Sequence, residues 1–377
     1  MSSLYLHIPF CTNKCQYCDF YSCVDSATEI SAYVELLKKN IALLKEEFPQ
    51  QPPLTTIFFG GGTPSLLTPQ QLTELLSTLQ ETFGVAAGAE ISIEANPGTV
   101  DLPRLQAYRQ AGVNRLSLGI QSFDDRRLAF LGRIHSGTEA RQAFASARQA
   151  GFDNISIDLI FALPEQSLAD LESDLVSLLE LNSEHIALYG LTIEEDTPLA
   201  SRLAAGEFTP CDEDSYSDQY RLIHQRLTEA GFEHYEISNF ARPGRRCAHN
   251  QVYWKRRSCL AVGCGAHSFY DVGWGERWLI PTDLSSYRSQ LAAGRNPARL
   301  LEDFDRLTAM KEYVYLALRT ADGLVQDEFE QRFSCLPEQV FSAAFNSCRP
   351  YLCNRDGNLR FDLSGWLIYD HLISHFL

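Results

Sequence analysis

The chain has no surplus of positive charge: 32 Lys and Arg face 48 Asp and Glu, which leaves a formal net charge of −16. Such a surface repels phosphate backbones, so no nucleic-acid partner is expected. The same charge gives no pull toward anionic lipid; membrane association stays open for a protein that docks at an inner membrane face, without support from electrostatics. The first residues, Met1-Ser2-Ser3-Leu4-Tyr5, lack the basic-then-apolar order of a secretory leader. Nor does any uninterrupted apolar run approach the roughly 18 residues that span a bilayer. Together these absences predict a cytoplasmic protein. There is no low-complexity tract and no internal repeat beyond the alternation described next. What is present is 377 residues at 45% hydrophobic content, enough for one large core and a smaller second domain.

Up to about residue 195, short apolar runs alternate with longer segments of helical period, the pattern of βαβ units with parallel strands. Six strand runs are predicted: 4–8, 56–59, 90–94, 115–120, 154–160 and 185–191, with amphipathic stretches such as 30–47 between them. Right-handed crossovers would curl this α/β sheet into a barrel or part of one, with chemistry at the C-terminal strand ends. The residues that follow the runs are rich in special types, including Pro9-Phe10-Cys11, Gly60-Gly61-Gly62-Thr63-Pro64, Ala95-Asn96-Pro97 and Gln121-Ser122-Phe123. That concentration predicts one shared active face. Residues 1–295 are expected to form the partial barrel with an extension that carries a second site in 247–268, and 216–230 to be helical. Residues 296–377, with helix signals at 303–318 and 369–376, are expected to form a small helical or winged-helix domain.

Eleven cysteines are scattered over the chain, and their tightest cluster has metal-ligand spacing, which favours a reducing compartment over disulfides. Cys11-Thr12-Asn13-Lys14-Cys15-Gln16-Tyr17-Cys18 reads CxxxCxxC. Three thiolates so spaced can hold a cuboidal iron–sulfur cluster and leave its fourth iron open. The natural occupant of that iron is the amino and carboxylate end of S-adenosylmethionine (SAM), whose carbon–sulfur bond one electron from the cluster then breaks to give a deoxyadenosyl radical. The competing reading is a zinc site with Cys23 as fourth ligand, although Cys-x2-Cys pairs normally meet a second pair or a His pair. The glycine triplet after 57–59 frees backbone N–H groups for close approach to a small zwitterion. Glu94, Gln121 and Asp158 sit at predicted strand ends, where carboxylate and amide groups can hold an amine and ribose hydroxyls. Each alone would be read as a loop-capping residue; beside the cysteine motif they read as a site.

These residues, Tyr5-x-His7-Ile8-Pro9-Phe10-Cys11, the Gly60–Pro64 segment, Glu94-Ala95-Asn96-Pro97, Gly119-Ile120-Gln121-Ser122-Phe123 and Gly132-Arg133-Ile134-His135, resemble the radical SAM proteins related to oxygen-independent coproporphyrinogen III oxidase. The resemblance covers nearly the whole chain. It implies a (β/α)6 partial barrel with a C-terminal helical domain, and a [4Fe-4S] cluster held by Cys11, Cys15 and Cys18. It also implies SAM contacts from Tyr5, Tyr17, Gly61, Gly62, Thr63, Glu94, Gln121, Arg133 and Asp158. Two departures speak against oxidase activity. The oxidases carry a further cysteine two residues past the third ligand, where this chain has Phe20. They also have an extended N-terminal segment over the active site, whereas four residues precede Tyr5 here, so no lid from that side is expected. Both features are similar to the HemW branch, whose members act as heme chaperones.

Cys247-Ala248-His249-Asn250-Gln251-Val252-Tyr253-Trp254 contains the HNxxYW signature that the same resemblance associates with heme. An imidazole is a standard axial ligand to heme iron, which makes His249 the candidate, with Tyr253 and Trp254 able to pack on a macrocycle. The plainer reading is that His249 and Asn250 satisfy backbone groups while Tyr253 and Trp254 fill core. Gly263-Cys264-Gly265-Ala266-His267-Ser268 reads as a tight turn near the cofactor. The implied partners are heme, heme-accepting proteins such as respiratory enzymes, and an electron donor. Two enzymatic alternatives remain: oxidative decarboxylation of coproporphyrinogen III to protoporphyrinogen IX, and modification of heme itself.

Overall fold

The computed structural model describes residues 2–24, 27–355 and 357–377. Six parallel strands are its frame: β1 (Ser3–Ile8), β2 (Leu54–Gly61), β3 (Val85–Ala95), β4 (Arg115–Gln121), β5 (Ile155–Phe161) and β6 (His185–Gly190). They lie side by side in chain order, each hydrogen-bonded to the next. All six strand runs expected from the sequence are therefore present, extended by a few residues at most in all but β3. The short strand Leu260–Val262 continues the sheet in parallel beyond β1, while Asn239–Ala241 and Glu233–Glu236 close the β6 side antiparallel. With those additions the sheet has nine strands.

Side chains alternate along each strand, and here the two faces differ in kind. One face carries Leu4, Leu6, Ile8, Ile57, Phe59, Ile93, Leu116, Leu118, Ile157 and Leu188, all buried in the hydrophobic core under the helices. Helix Ala27–Glu47 covers part of it through Ile30, Tyr33, Val34, Leu37, Ile41 and Leu44, a stripe at helical spacing. The other face carries Tyr5, Glu94, Arg115, Ser117, Ser156, Asp158 and His185, which line an interior cavity. Pairing places them in layers: Glu94 opposite Ser117, Ser117 opposite Ser156, and Ser156 opposite His185. The stability of the barrel thus rests on its outer face, and its interior is polar.

Residues 306–377 build a unit of three longer helices, Arg306–Leu318, Gln326–Phe333 and Pro337–Cys348, with a small antiparallel sheet from Leu324–Val325, Asn358–Phe361 and Leu352–Arg355, followed by two short helices, Leu363–Leu367 and Tyr369–Ile373. This is the arrangement of a winged helix. The expected helix at 303–318 begins at Arg306, because the Asp305 side chain accepts the Thr308 N–H and caps it there. Asp303 instead ends a strand, Arg299–Asp303, paired with Glu276–Leu279. The expected helix at 369–376 is regular only over Tyr369–Ile373. Three ion pairs, made by two acids, dock this unit on the barrel. Glu312 joins Arg256 and Arg277, and Glu236, fully buried, accepts from Arg319 at 3.0 Å. His234 stacks on Phe240 at 3.9 Å and against Trp366 at 4.8 Å across the same junction.

Candidate functional site

The loop after β1 carries Cys11, Cys15 and Cys18, and all three line one cavity of about 500 Å³ at the C-terminal ends of the strands. No disulfide joins any of the eleven cysteines. The loop is held by its backbone: the Gln16 N–H donates to Leu131 O at 3.1 Å, the Leu199 N–H to Gln16 O at 2.9 Å, and Cys23 N to Pro9 O at 2.7 Å. Around the thiols stands a fixed set of donors. Thr63 Oγ1 donates to Cys11 Sγ at 3.5 Å and Arg133 Nη1 to Cys15 Sγ at 3.3 Å. Arg133 Nη2 also reaches Gly119 O at 2.7 Å and the Asn96 side chain, whose amide donates in turn to Thr63 Oγ1 at 3.1 Å. Asn96 is thus the link between both thiol donors, and its place directly after β3 was the available signal for it.

A cluster with three cysteine ligands fits these residues. The thiols share one cavity wall, two of them already accept charge-stabilising donors, and the Arg133 Nε has no partner among the described residues. A single zinc ion would draw its ligands into one shell at about 2.3 Å. Among the described residues no three His, Cys, Asp or Glu side chains are grouped for that, the three motif cysteines included.

The glycine triplet is where backbone must come closest. Gly61 has φ +113°, and a Cβ there would stand 2.7 Å from the His7 ring. A Cβ on Gly62 would lie 2.7 Å from Phe10 O and 3.0 Å from Cys11 Sγ. Neither position admits a side chain. Gly61, Gly62, Thr63, Glu94, Gln121, Arg133, Asp158 and Tyr17 all line the cysteine cavity. Gln121 sits at φ +70°, a left-handed backbone that a residue without glycine's freedom holds only where the surroundings enforce it. Tyr5 is set back from that cavity; its hydroxyl bonds His7 Nδ1 at 3.1 Å and its ring faces the inner space.

Glu94 is half-buried and accepts the Gly61 N–H at 3.2 Å. Burial, then the neighbouring Asp158 carboxyl, push its pKa up to about 8. Burial likewise raises Asp158 to about 6, against the opposing pull of Arg115, Ser117 and Ser156. A carboxyl raised in this way favours the folded chain while it is protonated, and that contribution is lost as pH rises from 4.5 through about 8. Without bound cofactor, Glu94→Gln is therefore expected to gain stability relative to the parent chain across that window, at about 1.4 kcal/mol per pH unit. Parallel thermal melts along a pH series check this; a difference independent of pH would mean that Glu94 is ionised throughout.

A second, inner cavity of about 240 Å³ adjoins the first, sharing Phe20, Gly61, Glu94, Ser117, Asp158 and Tyr189 with it. Its wall includes His249, Asn250 and Tyr253 of helix Ala248–Trp254. Glu90 on β3 fixes that helix by accepting the Ala248 and His249 N–H groups, each at 3.0 Å. His249 is buried with both ring nitrogens engaged: Nδ1 with Thr56 Oγ1 at 2.8 Å and Nε2 with the Tyr253 hydroxyl at 2.8 Å. Its ring stacks on Phe58, and burial followed by the charge of Arg115 lowers its pKa to about 3, so it is a neutral imidazole. As the side chains stand, neither nitrogen is free. The Gly263–Ser268 turn packs on β1, where a Cβ at Gly263 would meet His7 O at 2.6 Å, and Cys264 Sγ donates to Pro281 O.

Comparison with known proteins follows the same lines. A sequence model described as the Radical SAM superfamily matches residues 5–177. The chain is 35% identical over 341 residues to a protein of Lactococcus lactis called heme chaperone HemW, covering 90% of this chain and 87% of that one. It is 42% identical over 266 residues to a protein of the same name from Escherichia coli, covering 70% and 69%. A mouse protein, radical S-adenosyl methionine domain-containing protein 1, mitochondrial, is 33% identical over 336 residues, covering 88% and 76%. Among solved structures, the Escherichia coli coproporphyrinogen III oxidase HemN superposes with a TM-score of 0.84 over 100% of this chain and 89% of that one; at 23% identity the likeness is one of fold.

Proposed function

The chain belongs to the HemW family of radical SAM proteins, and on that premise we propose that it binds heme and passes it to acceptor proteins, with a [4Fe-4S] cluster and SAM as resident groups. The observation behind this reading is the continuity of the two cavities. The space lined by the three thiols and the space walled by His249, Asn250 and Tyr253 share the residues between them. When bound, a reduced cluster and SAM supply one-electron chemistry at that junction.

Cys11, Cys15 and Cys18 would hold the cluster, with Thr63 and Arg133 stabilising the charge on two of the sulfurs. Gly61 and Gly62 line the space proposed for SAM. Glu94, Gln121 and Asp158 face the same space with groups suited to its amine and hydroxyls, and Tyr17 walls it. Tyr5 holds His7 in place beneath the glycines. His249 is the residue proposed to meet heme iron, through Nε2, since Nδ1 is tied to Thr56 and only the Tyr253 hydroxyl covers the other nitrogen. Ligation then requires Tyr253 to turn aside. His249→Ala is expected to weaken heme binding, read by absorbance titration, with cluster content unchanged; equal heme uptake would remove His249 from this reading.

Oxidase chemistry is the second reading, and Phe20 counts against it. Where the oxidases have a thiol, this side chain is an exposed ring at the mouth of both cavities. The reconstituted protein should be given SAM, a reductant and coproporphyrinogen III without oxygen, with protoporphyrinogen and deoxyadenosine followed together. The expected result is deoxyadenosine without decarboxylated product, alongside a heme complex that transfers its heme to an apo-acceptor. Stoichiometric protoporphyrinogen would make the protein an oxidase. For the described residues, no helix is long and apolar enough to cross a membrane, so contact with a membrane-bound acceptor would be peripheral.

A further inference from the structure

The interior of the barrel contains a cation with acids near it and no hydrogen-bonded partner. Arg115, at the start of β4, is 2% exposed and its guanidinium lines the inner cavity. Among the described residues no hydrogen bond and no ion pair is made by this side chain, and its Nε is buried without a partner. The acids near it are committed elsewhere. Glu90 accepts two backbone N–H groups of helix Ala248–Trp254. Asp158 accepts from the Ser117 and Ser156 hydroxyls, at 3.1 Å each. Ser156 is bonded in turn to His185 Nδ1, and His185 Nε2 to the Tyr235 hydroxyl. Apart from the Ser92 hydroxyl, which lies opposite Arg115 on β3 and is itself buried without a partner, these groups are engaged with one another and none bonds the guanidinium.

A buried guanidinium in this state is costly, and folded chains keep one where something outside the chain pairs with it. Its planar fork suits a carboxylate, which it can bind through two parallel N–H bonds. The volume decides the form of the ligand. As the side chains stand, a space of about 240 Å³ admits an aliphatic carboxylate arm; a macrocycle reaches the His249 side of it only when Tyr253 turns aside. His249, the residue proposed to meet heme iron, lines the same cavity, so one tetrapyrrole can reach both once Tyr253 has turned aside.

We propose that Arg115 is the recognition residue for a carboxylate arm of the tetrapyrrole cargo, received in the inner cavity. This rests on the heme-binding reading above and adds what that reading lacks, a reason for the protein to distinguish acidic tetrapyrroles from neutral ones. Arg115 is a binding residue here and takes no part in holding the cluster or SAM.

The test titrates the full chain with hemin and with hemin dimethyl ester, which differ only in the free carboxylates. Parent chain, Arg115→Gln and Arg115→Lys are compared, and unliganded melting temperatures are measured for all three. The parent chain is expected to bind the diacid tighter than the ester on the order of tenfold or more, the usual effect of a charge-assisted hydrogen bond. Arg115→Gln should lose that preference, and Arg115→Lys should keep part of it. Without ligand, Arg115→Gln should melt close to the parent, because no hydrogen bond of the guanidinium is lost. Equal affinity of the parent for acid and ester would overturn the role of Arg115 and leave the heme-binding reading standing. A preference that survives in Arg115→Gln would do the same. A sharp fall in the melting temperature of that variant would assign Arg115 to the architecture of the barrel instead. Failure of the parent to bind either compound would overturn both readings together.

Discussion

Cys15→Ala is expected to give a folded chain that takes up neither an iron–sulfur cluster nor, through it, SAM. With the Cys15 thiol removed, only Cys11 and Cys18 remain of the motif, and two thiolates do not retain a cuboidal cluster that is built on at least three. The fold should survive. The loop around Cys15 is pinned by backbone bonds from Gln16 to Leu131 and from Leu199 to Gln16, none of which involves the thiol. Arg133 would lose one acceptor but keep Gly119 O and Asn96. Anaerobic reconstitution followed by iron analysis and visible absorbance reads the outcome, with circular dichroism as the control for folding. A full complement of iron in this variant would refute the ligand assignment and reopen the question of which thiols hold metal.

Glu312→Ala is expected to be the most damaging single change for stability. Glu312 is the partner of Arg256, whose side chain is 1% exposed, and it also pairs with Arg277. Arg256 lies against the rings of Phe269 and Phe304, and burial lowers its pKa from the usual arginine value, a sign of how far it is from water. Two of its guanidinium nitrogens already lack partners. Removing the acid would leave that charge stranded, at a cost of about 3–5 kcal/mol. Replacing both members, Arg256→Met with Glu312→Leu, should recover most of the loss, since a buried pair is often matched by apolar residues of similar size. Urea unfolding of the two variants separates these cases. A single variant as stable as the parent would mean that Arg256 finds water or another acid when Glu312 is gone.

What could be read from the sequence followed from period and clustering. The six barrel strands were legible because each is a run of Leu, Ile, Val or Phe at alternate positions, as in Leu116, Leu118 and Ile120. The flanking strands Glu233–Glu236, Asn239–Ala241 and Leu260–Val262 were not, since three or four residues are too few to show a period. The strand at Arg299–Asp303 was hidden for another reason: its Leu300 and Leu301 are exposed and mark no buried face. The expected cysteine and SAM residues fall on one cavity, Tyr5 excepted, because the motifs follow strand ends that the fold gathers at one rim. Arg115 was missed even though it stands in phase with Ser117 and Gly119 on the polar face of β4. An arginine at the edge of an apolar run is ordinarily read as a strand terminus, and only the three-dimensional enclosure shows it to be interior. The engagement of both His249 nitrogens was also beyond reach, since Thr56 lies 193 residues away in sequence.

The reversed faces of the strands have a consequence for how such a protein can change over generations or on the bench. In a barrel filled with packed apolar side chains, a new activity must be bought with stability, because the same residues serve both. Here Ser117 and Ser156 line the cavity, while Leu116 and Ile157 beside them hold the helices. Chemistry and folding are written on alternate letters of the same six words. The interior can therefore be respelled, one small residue at a time, with little effect on whether the chain folds.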